Sequence, residues 1–492
     1  MNTSEPITFV ILGASGDLAR RKVIPAFFAL YCQDKLPPEF RVVGFGRSEL
    51  TDEAFRQRVM EHLACRYSLG PDCARREAEY LARCFFVTGS YDSRDAYLDL
   101  YTRLREIEPP GAAVNRVFYM AIPPDAFLDV SHGLGDAALI ACDDGGGWTR
   151  VVVEKPFGRD RASSDALVRG MSQIFSEAQT YRIDHYLGKE LVQDLMVLRF
   201  ANAVFEPLWN ARHIERVSVL WRETDTLAGR AGYFDRYGIL RDVVQNHLLQ
   251  IVALAAMEPP SGLNPVAVHA AKAQLLRSIQ PLAEDDLVLG QYAGGTRGNL
   301  RVAGYREEAG VPADSCTPTF AAGVLTIDNE RWRGVPFFLL AGKGAARSVN
   351  ELRIQFRRPA ADLFGTAAAG LPANELVVRI QPDEAIGLRV LNKTPGLAMK
   401  LQTGDLNLSY SEAYPQVVPE AYERLLLDVI AGEHGLFICA DELAASWDVV
   451  TPVLHAMEES PHPPEAYALG GDGPASTAAL AARWGFPWPP PG

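Results

Sequence analysis

The sequence predicts an α/β, Rossmann-like N-terminal domain followed by a larger α+β C-terminal domain with a mostly antiparallel sheet. In the first part of the chain, short apolar runs alternate with helical patterns, as βαβ units around a parallel sheet do. Farther on, strand-like runs succeed one another without helices between them, which favours antiparallel pairing. The length, 492 residues, exceeds what one small core organises. The division falls between residues 1–180 and 181–492.

ITFVIL (7–12) is apolar and rich in β-branched residues, and GASGDLA (13–19) follows it directly. Leu18, Val23, Phe27 and Leu30 then recur near one face of a helix. In such a turn Gly13 permits the sharp bend, Gly16 lets a pyrophosphate approach the backbone, and Ala19 allows close helix–strand packing. The N–H groups of Ala14, Ser15, Asp17 and Leu18 stand at the helix start, where anions bind. The spacing is G-x-x-G-x-x-A, so the glycines alone leave open a dinucleotide site or an ordinary strand–helix turn. Its position at the start of an alternating β/α domain favours the former.

RVVGFG (41–46) is the second strand, and Arg47 and Ser48 end it. An acidic residue here binds the ribose of NAD, whereas an arginine fork and a hydroxyl suit the 2′-phosphate of NADP. NADP is the expected cofactor, and Glu49 is the neighbour that would suit NAD. RVFYMAIP (116–123) and RVVVEKP (150–156) are further strands. Lys155 sits at the carboxyl end of the latter, where open α/β sheets bind ligands. It is placed to bond a substrate hydroxyl or the cofactor, with a strand-end ion pair as the alternative. Pro156 can take either peptide isomer.

Beyond the division, residues 188–200 form a helix with Leu191, Leu195 and Leu198 on one side. ERVSVLWRE (215–223) alternates as a half-exposed strand, and RDVVQNHLLQIVALAAM (241–257) is a long apolar helix. ELRIQFR (351–357), ELVVRIQP (375–382) and GLRVLNK (387–393) are later strands, and FPWPPPG is read as a loose tail.

Composition narrows the function. The formal net charge of −13 argues against nucleic-acid binding, which needs a basic face, but permits an anionic small ligand in a locally basic pocket. No stretch approaches the roughly 20 apolar residues of a bilayer span, so no membrane contact is expected. MNTSEPITFVILG lacks a basic segment or cleavage-like site, so no export is expected. The seven cysteines contain no C-x-x-C pair, and reduced thiols in a cytoplasmic protein are expected. No metal is expected.

RIDHYLGKE (182–190) places Asp184 beside His185. Consecutive residues point in different directions on a helix or a strand, so this adjacency is poor geometry for a dyad. The competing histidine, His247, lies in an apolar helix, where a satisfied core histidine is the plainer reading of the residue alone.

GASGDLA, FGRS, VVVEKPFG, RIDHYLGKE, YFDRYGILRDVVQNHLLQ, VPFFLLAGK and EAYERLLLDV occur in that order through almost the whole chain. Together they resemble the glucose-6-phosphate dehydrogenase family, RIDHYLGKE being far more specific than the glycine turn. The resemblance implies oxidation of glucose 6-phosphate at C1 to the lactone, with hydride passing to NADP, or in some members to NAD. It makes His247 the general base and Asp184 its carboxylate partner. It gives His185, Tyr186 and Lys189 to the sugar phosphate, Glu223 and Asp242 to sugar hydroxyls, and Lys343 and Gln381 to further substrate contacts. Lys22, Tyr119 and Lys155 fall at the junction of cofactor and substrate. It also implies a homodimer or homotetramer built through the second domain's sheet.

One departure stands out. Many members carry a second basic residue five positions after the lysine matched by Lys343; here that position is Ser348, preceded by Arg347. Either Arg347 substitutes or phosphate affinity is weaker. Val349 stands where animal enzymes have a lysine of a second, structural NADP site, so that site is not expected. Two alternatives to the leading reading are a dehydrogenase of a related sugar or sugar phosphate, and a non-catalytic NADP-binding relative.

Overall fold

The computed structural model describes all residues except 1–4, 68–69, 141–146, 362, 366–369, 415–416 and 490–492. The start of the N-terminal tail and the last three residues of the Pro-rich tail thus lie outside the described residues.

The apolar runs of the first half become a six-stranded parallel sheet in the order β3-β2-β1-β4-β5-β6. Its strands are β1 (Ile7–Leu12), β2 (Phe40–Gly46), β3 (Cys84–Thr88), β4 (Asn115–Met120), β5 (Thr149–Glu154) and β6 (Thr180–Ile183). All six residues of β1 are buried, because β1 lies between β2 and β4 and is covered on both faces. The strand order reverses at β1 and β4, the switch point where open α/β sheets bind ligands. Parallel pairing sends Gly13, Arg47, Lys155 and Asp184 to one edge, since each follows the last residue of its strand. One face of the sheet packs on Ile24–Cys32 and, from far along the chain, on Ala421–Ala431, with Phe9, Ile11, Val152, Leu425 and Leu426 in a shared core.

The second sheet has nine strands in the order β16-β15-β14-β13-β7-β12-β11-β8-β17. They are β7 (Ile214–Arg222), β8 (Leu287–Tyr292), β11 (Phe320–Thr326), β12 (Pro336–Gly342), β13 (Val349–Phe356), β14 (Glu375–Gln381), β15 (Ala385–Lys393), β16 (Leu401–Ser409) and β17 (Glu465–Tyr467). A separate hairpin pairs β9 (Gly295–Arg297) with β10 (Leu300–Val302). The large sheet is antiparallel except where β12 meets β7 and β17 meets β8. Leu352, Ile354, Leu376 and Val378 bury its inner face. The apolar helix predicted over 241–257 is one continuous element in two parts, a π-helical stretch Leu240–Leu248 and an α-helix Leu249–Ala256. A π-helical stretch is wider per turn and frequently marks a functional position.

Two expectations are corrected. Cys65 and Cys73 are joined in a disulfide, while Cys84, Cys316 and Cys439 are free, so the thiols are not all reduced. The tail is not loose where it is described: Phe486 is buried against Phe338, its ring centroid 5.1 Å away. Two aromatic rings in a short Pro-rich stretch bury enough apolar area to hold it down.

Candidate active site

Asp184 leaves the end of β6 and caps the short turn His185–Gly188, its Oδ1 accepting the Tyr186 N–H at 3.0 Å. The same oxygen lies 2.5 Å from His247 Nδ1, which the π-helical stretch delivers from the opposite side. Both residues are buried. With Nδ1 donating to a carboxylate, the lone pair of neutral His247 is on Nε2. His185 is not Asp184's partner; its ring stands edge-on to that of His247, with centroids 4.8 Å apart. The Tyr186 ring stacks on His247 from another side at 4.2 Å. Asp184 Oδ2 is buried without a hydrogen bond among the described residues.

Lys155 closes the junction. Its Nζ is 3.0 Å from His247 Nε2, 3.1 Å from Asp242 Oδ1 and 2.6 Å from the Asp242 carbonyl. The Lys155–Pro156 peptide bond is cis. Burial lowers the His247 pKa below the ordinary histidine value; Asp184 pulls it up, Lys155 pushes it down, and the net direction is down. Burial works to raise the Asp184 carboxyl, but His247 overrides it and holds Asp184 well below the usual carboxylate range. Asp242 is likewise raised by burial and lowered further by Lys155 and Lys343, to about 2. The site therefore holds ionised carboxylates around a neutral, buried imidazole at neutral pH.

Beside it lies a group suited to an anion. Lys189 caps the helix Glu190–Phe200 and bonds Gln381. Burial lowers its pKa, with the nearby Lys22 adding to the effect. Two neighbouring cations, one half-buried and one exposed, favour a bound anion. Tyr186 Oη accepts from Trp221 Nε1 and from Asn350 Nδ2, the latter at 3.0 Å, which fills both lone pairs and leaves its own proton free to donate. Lys343 pairs with Glu223 at 2.8 Å. Ser348 Oγ accepts the Thr224 N–H at 3.2 Å, next to Glu223 in the chain. Arg353, four residues beyond Val349, is held by Glu351 and Glu375.

The glycine turn fits a dinucleotide. Gly13 has φ +85, and a Cβ there would stand 2.2 Å from the Ala121 carbonyl oxygen. A side chain at Gly16 would meet Gly13's carbonyl at 3.1 Å, over the open mouth of the turn. Ser15 Oγ and Ser48 Oγ bond at 3.0 Å, and the Arg47 guanidinium lies over the Tyr91 ring at 5.8 Å without a carboxylate partner among the described residues. A paired arginine would be a poor phosphate ligand; this one is unpaired and exposed. Tyr119 is different: it is fully buried in β4, and its hydroxyl bonds Glu154 Oε1 at 2.5 Å rather than facing the cleft.

Residues 10–194 match the glucose-6-phosphate dehydrogenase NAD binding domain, and residues 196–489 match the glucose-6-phosphate dehydrogenase C-terminal domain. The chain belongs to the glucose-6-phosphate dehydrogenase family. It is 48% identical to the chloroplastic glucose-6-phosphate 1-dehydrogenase of Spinacia oleracea, over 98% of this chain and 84% of that one. It is 42% identical to cytoplasmic glucose-6-phosphate 1-dehydrogenase 5 of Arabidopsis thaliana, over 98% and 92%. A solved glucose-6-phosphate dehydrogenase in complex with its substrate superposes with a TM-score of 0.91 at 40% identity, covering 99% of each chain. Its activity is accordingly the oxidation of glucose 6-phosphate with hydride transfer to NADP, the opening step of the oxidative pentose phosphate pathway.

The family fold joins residues that the sequence reading left apart. Glu154 and Tyr422 meet at 3.2 Å from positions 268 residues apart, and Trp221 and Asn350 reach Tyr186 from two adjacent strands. No local pattern marks them, because each is an unremarkable residue of a strand or helix until the sheets assemble. A cleft of about 330 Å³ lies between the cofactor turn and the His247 helix, walled by Leu18, Glu154, Lys155, His185 and Tyr422 on one side. Arg230, Tyr233 and Tyr237, which the sequence reading also passed over, wall the other.

Proposed function

We propose that His247 is the general base for the glucose 6-phosphate C1 hydroxyl and that Asp184 supports it. The observation that carries this is the buried contact of Asp184 Oδ1 with His247 Nδ1, which directs the Nε2 lone pair toward Lys155 and the cleft. On binding, the C1 hydroxyl takes the place of Lys155 Nζ at Nε2. The proton passes from that hydroxyl to Nε2 as the C1 hydride departs, and the Asp184 carboxylate stabilises the imidazolium that forms. Lys155, displaced from Nε2, donates to the C1 oxygen. Asp242 and Glu223 accept from ring hydroxyls, and Lys343 holds Glu223 in place. The sugar phosphate meets Lys189, Lys22, His185 and the free hydroxyl proton of Tyr186, with Gln381 positioning Lys189.

NADP, when bound, supplies the hydride acceptor. Gly13, Ala14, Ser15, Gly16, Asp17 and Leu18 would hold its pyrophosphate, and Arg47 and Ser48 its 2′-phosphate. Tyr119 acts through Glu154, and Lys155 stands between the two ligands. We propose the division into 1–180 and 181–492 as the approximate boundary of the two functional halves; it falls within β6, the last strand of the first sheet, which leads directly into Asp184.

The assembly we propose is a homodimer or a pair of dimers through the second sheet. Leu406 and Leu408 on β16 are exposed and lie in register with Leu388 and Ile386 on β15, continuing the face on which Leu376 and Val378 are buried. An uncovered apolar continuation of a core face suits a second copy. The compartment we propose is the cytoplasm; the free cysteines Cys84, Cys316 and Cys439 support it, as does the name of one relative.

The test is a comparison of initial rates with glucose 6-phosphate and free glucose, each with NADP and NAD. The site predicts a strong preference for the phosphate ester and for NADP. Equal rates for free glucose would sink the phosphate-site assignment, and a preference for NAD would sink that of Arg47.

A further inference from the structure

The helices Pro265–Ser278 and Ala440–Glu459 pack on each other and enclose a polar group that the proton chemistry above does not use. His269 and Lys272 lie one turn apart on the first helix. Cys439 and Glu442 lie one turn apart at the start of the second, so each pair shares a face. Lys272 Nζ and Glu442 Oε2 are 2.8 Å apart, and both side chains are fully buried. That ion pair uses one carboxylate oxygen and gives Cys439 and His269 no task. The Cys439 thiol donates to the other oxygen, Glu442 Oε1, at 3.6 Å. A ring nitrogen of His269, Cys439 Sγ and a Glu442 carboxylate oxygen all lie within 4.8 Å of one another.

A thiolate, an imidazole and a carboxylate together make a donor set that zinc takes, with water in the fourth position of a tetrahedron. Bonds of about 2.0 to 2.3 Å set such donors roughly 3.4 to 3.6 Å apart. Cys439 and Glu442 already have that separation. His269 is oriented as ligating histidines are. Its Nε2 donates to the His434 carbonyl at 3.0 Å, which leaves the lone pair on Nδ1. Burial lowers the His269 pKa, so the imidazole is neutral at neutral pH. Cys439 occupies a helix N-cap, where serine, threonine, asparagine or aspartate would bond the backbone, yet its side chain makes no capping bond. Burial and Glu442 push its thiol up to about 12, so a metal binds there by displacing the thiol proton. Cys439 and His269 are half-buried, which gives an ion a way in, and Glu442 lies fully buried behind them. Glu177, a further carboxylate near His269, is engaged with Arg182 and the Ala440 N–H.

We propose that Cys439, His269 and Glu442 form a zinc site that ties the helix Pro265–Ser278 to the start of the helix Ala440–Glu459. Glu442 gives Oε1 to the metal and keeps Oε2 for Lys272. No local spacing marks the site, because its donors come from two helices far apart in the chain.

The test measures binding, not turnover. The probe is Co2+, which takes zinc sites and reports its ligands by absorption, titrated into the full chain with the Cys65–Cys73 disulfide intact. Among the described residues the other group of such donors is Asp184, His185 and His247, which has no sulfur. A thiolate-to-cobalt band in the near ultraviolet therefore separates the two. Wild type is expected to develop that band with one equivalent of Co2+ and to lose it when Zn2+ is added. Cys439→Ser is expected to show no such band, and His269→Ala to bind Co2+ at least about tenfold more weakly. Zn2+ is expected to raise the thermal unfolding midpoint of wild type and not that of Cys439→Ser. A cobalt spectrum without the thiolate band in wild type overturns the proposal, since the ion then sits elsewhere. The same band in Cys439→Ser, or an equal rise in midpoint with Zn2+ in both proteins, overturns it too. If Cys439→Ser does not fold, an unchanged Co2+ affinity in His269→Ala overturns it alone.

Discussion

Asp184→Asn isolates the electrostatic part of the base. The asparagine oxygen can keep both contacts of Oδ1, to the Tyr186 N–H at 3.0 Å and to His247 Nδ1, so the tautomer is retained. What is lost is the negative charge beside a developing imidazolium. A unit charge pair about 4 Å apart interacts by roughly 4 kcal/mol at an effective dielectric of 20. A charge-assisted hydrogen bond exceeds a neutral one by about 1 to 2 kcal/mol. These describe the same interaction, so the rise in barrier is about 2 to 4 kcal/mol, or roughly 30- to 1000-fold in kcat. The pH profile gives a second readout. His247 already lies below the ordinary histidine value, so kcat/KM in wild type is level at neutral pH and falls only on the acid side, with a midpoint below 6.5. Asp184 is the group that raises the imidazole pKa, so its removal moves that midpoint further down. The assay is NADPH absorbance against pH at saturating NADP, with KM for glucose 6-phosphate followed alongside. A kcat within fivefold of wild type, or an acid limb that moves up, would refute the reasoning.

Other expectations follow from the same geometry. Lys189→Gln removes the half-buried cation of the phosphate group and should raise KM for glucose 6-phosphate by about 10- to 100-fold with kcat little changed; a variant that loses kcat and keeps KM contradicts the assignment. Arg47→Ala should weaken NADP by about tenfold or more and leave NAD unaffected, read as separate KM values for the two cofactors. Gly13→Ala forces a Cβ to within 2.2 Å of the Ala121 carbonyl oxygen at φ +85, and should abolish cofactor binding or folding; retained NADP affinity by calorimetry contradicts the turn's role. Glu442→Gln leaves Lys272 buried and unpaired where the two now lie 2.8 Å apart, and should cost about 3 to 5 kcal/mol in urea unfolding; a loss under 1 kcal/mol contradicts it.

Much of this architecture is legible in the chain because its signals are local. β1, β2, β4 and β5 are apolar runs next to turn residues, and β7, β13, β14 and β15 alternate or are rich in β-branched residues. β3 and β6 are five and four residues long and carry too little pattern to stand out from their surroundings. The site is legible in a different way. The spacing of RIDHYLGKE points to a local Asp–His pair that the backbone forbids, and only the family resemblance joined Asp184 to His247 across 63 positions. The resemblance placed Tyr119 at the junction of cofactor and substrate; its bond to Glu154, on the face covered by the helix Ala421–Ala431, has no local signal in the sequence. Cys65 and Cys73 are eight residues apart, a separation that fits no standard thiol motif, so nothing short of the folded loop shows the bond. Likewise Ser348 gives no hint in sequence that its hydroxyl serves the Thr224 backbone.

His247→Asn tests the central claim most directly. Asparagine is close in size, can keep a hydrogen bond to Asp184, and has no lone pair of comparable basicity at the position of Nε2. The measurement is single-turnover NADPH formation together with the dissociation constant of glucose 6-phosphate on the same protein. The account predicts a loss of about 10²-fold or more in the rate, the contribution of a positioned general base, with the dissociation constant within about threefold of wild type. A variant that turns over at near wild-type rate would contradict it, and so would one that loses its rate only because it no longer binds substrate.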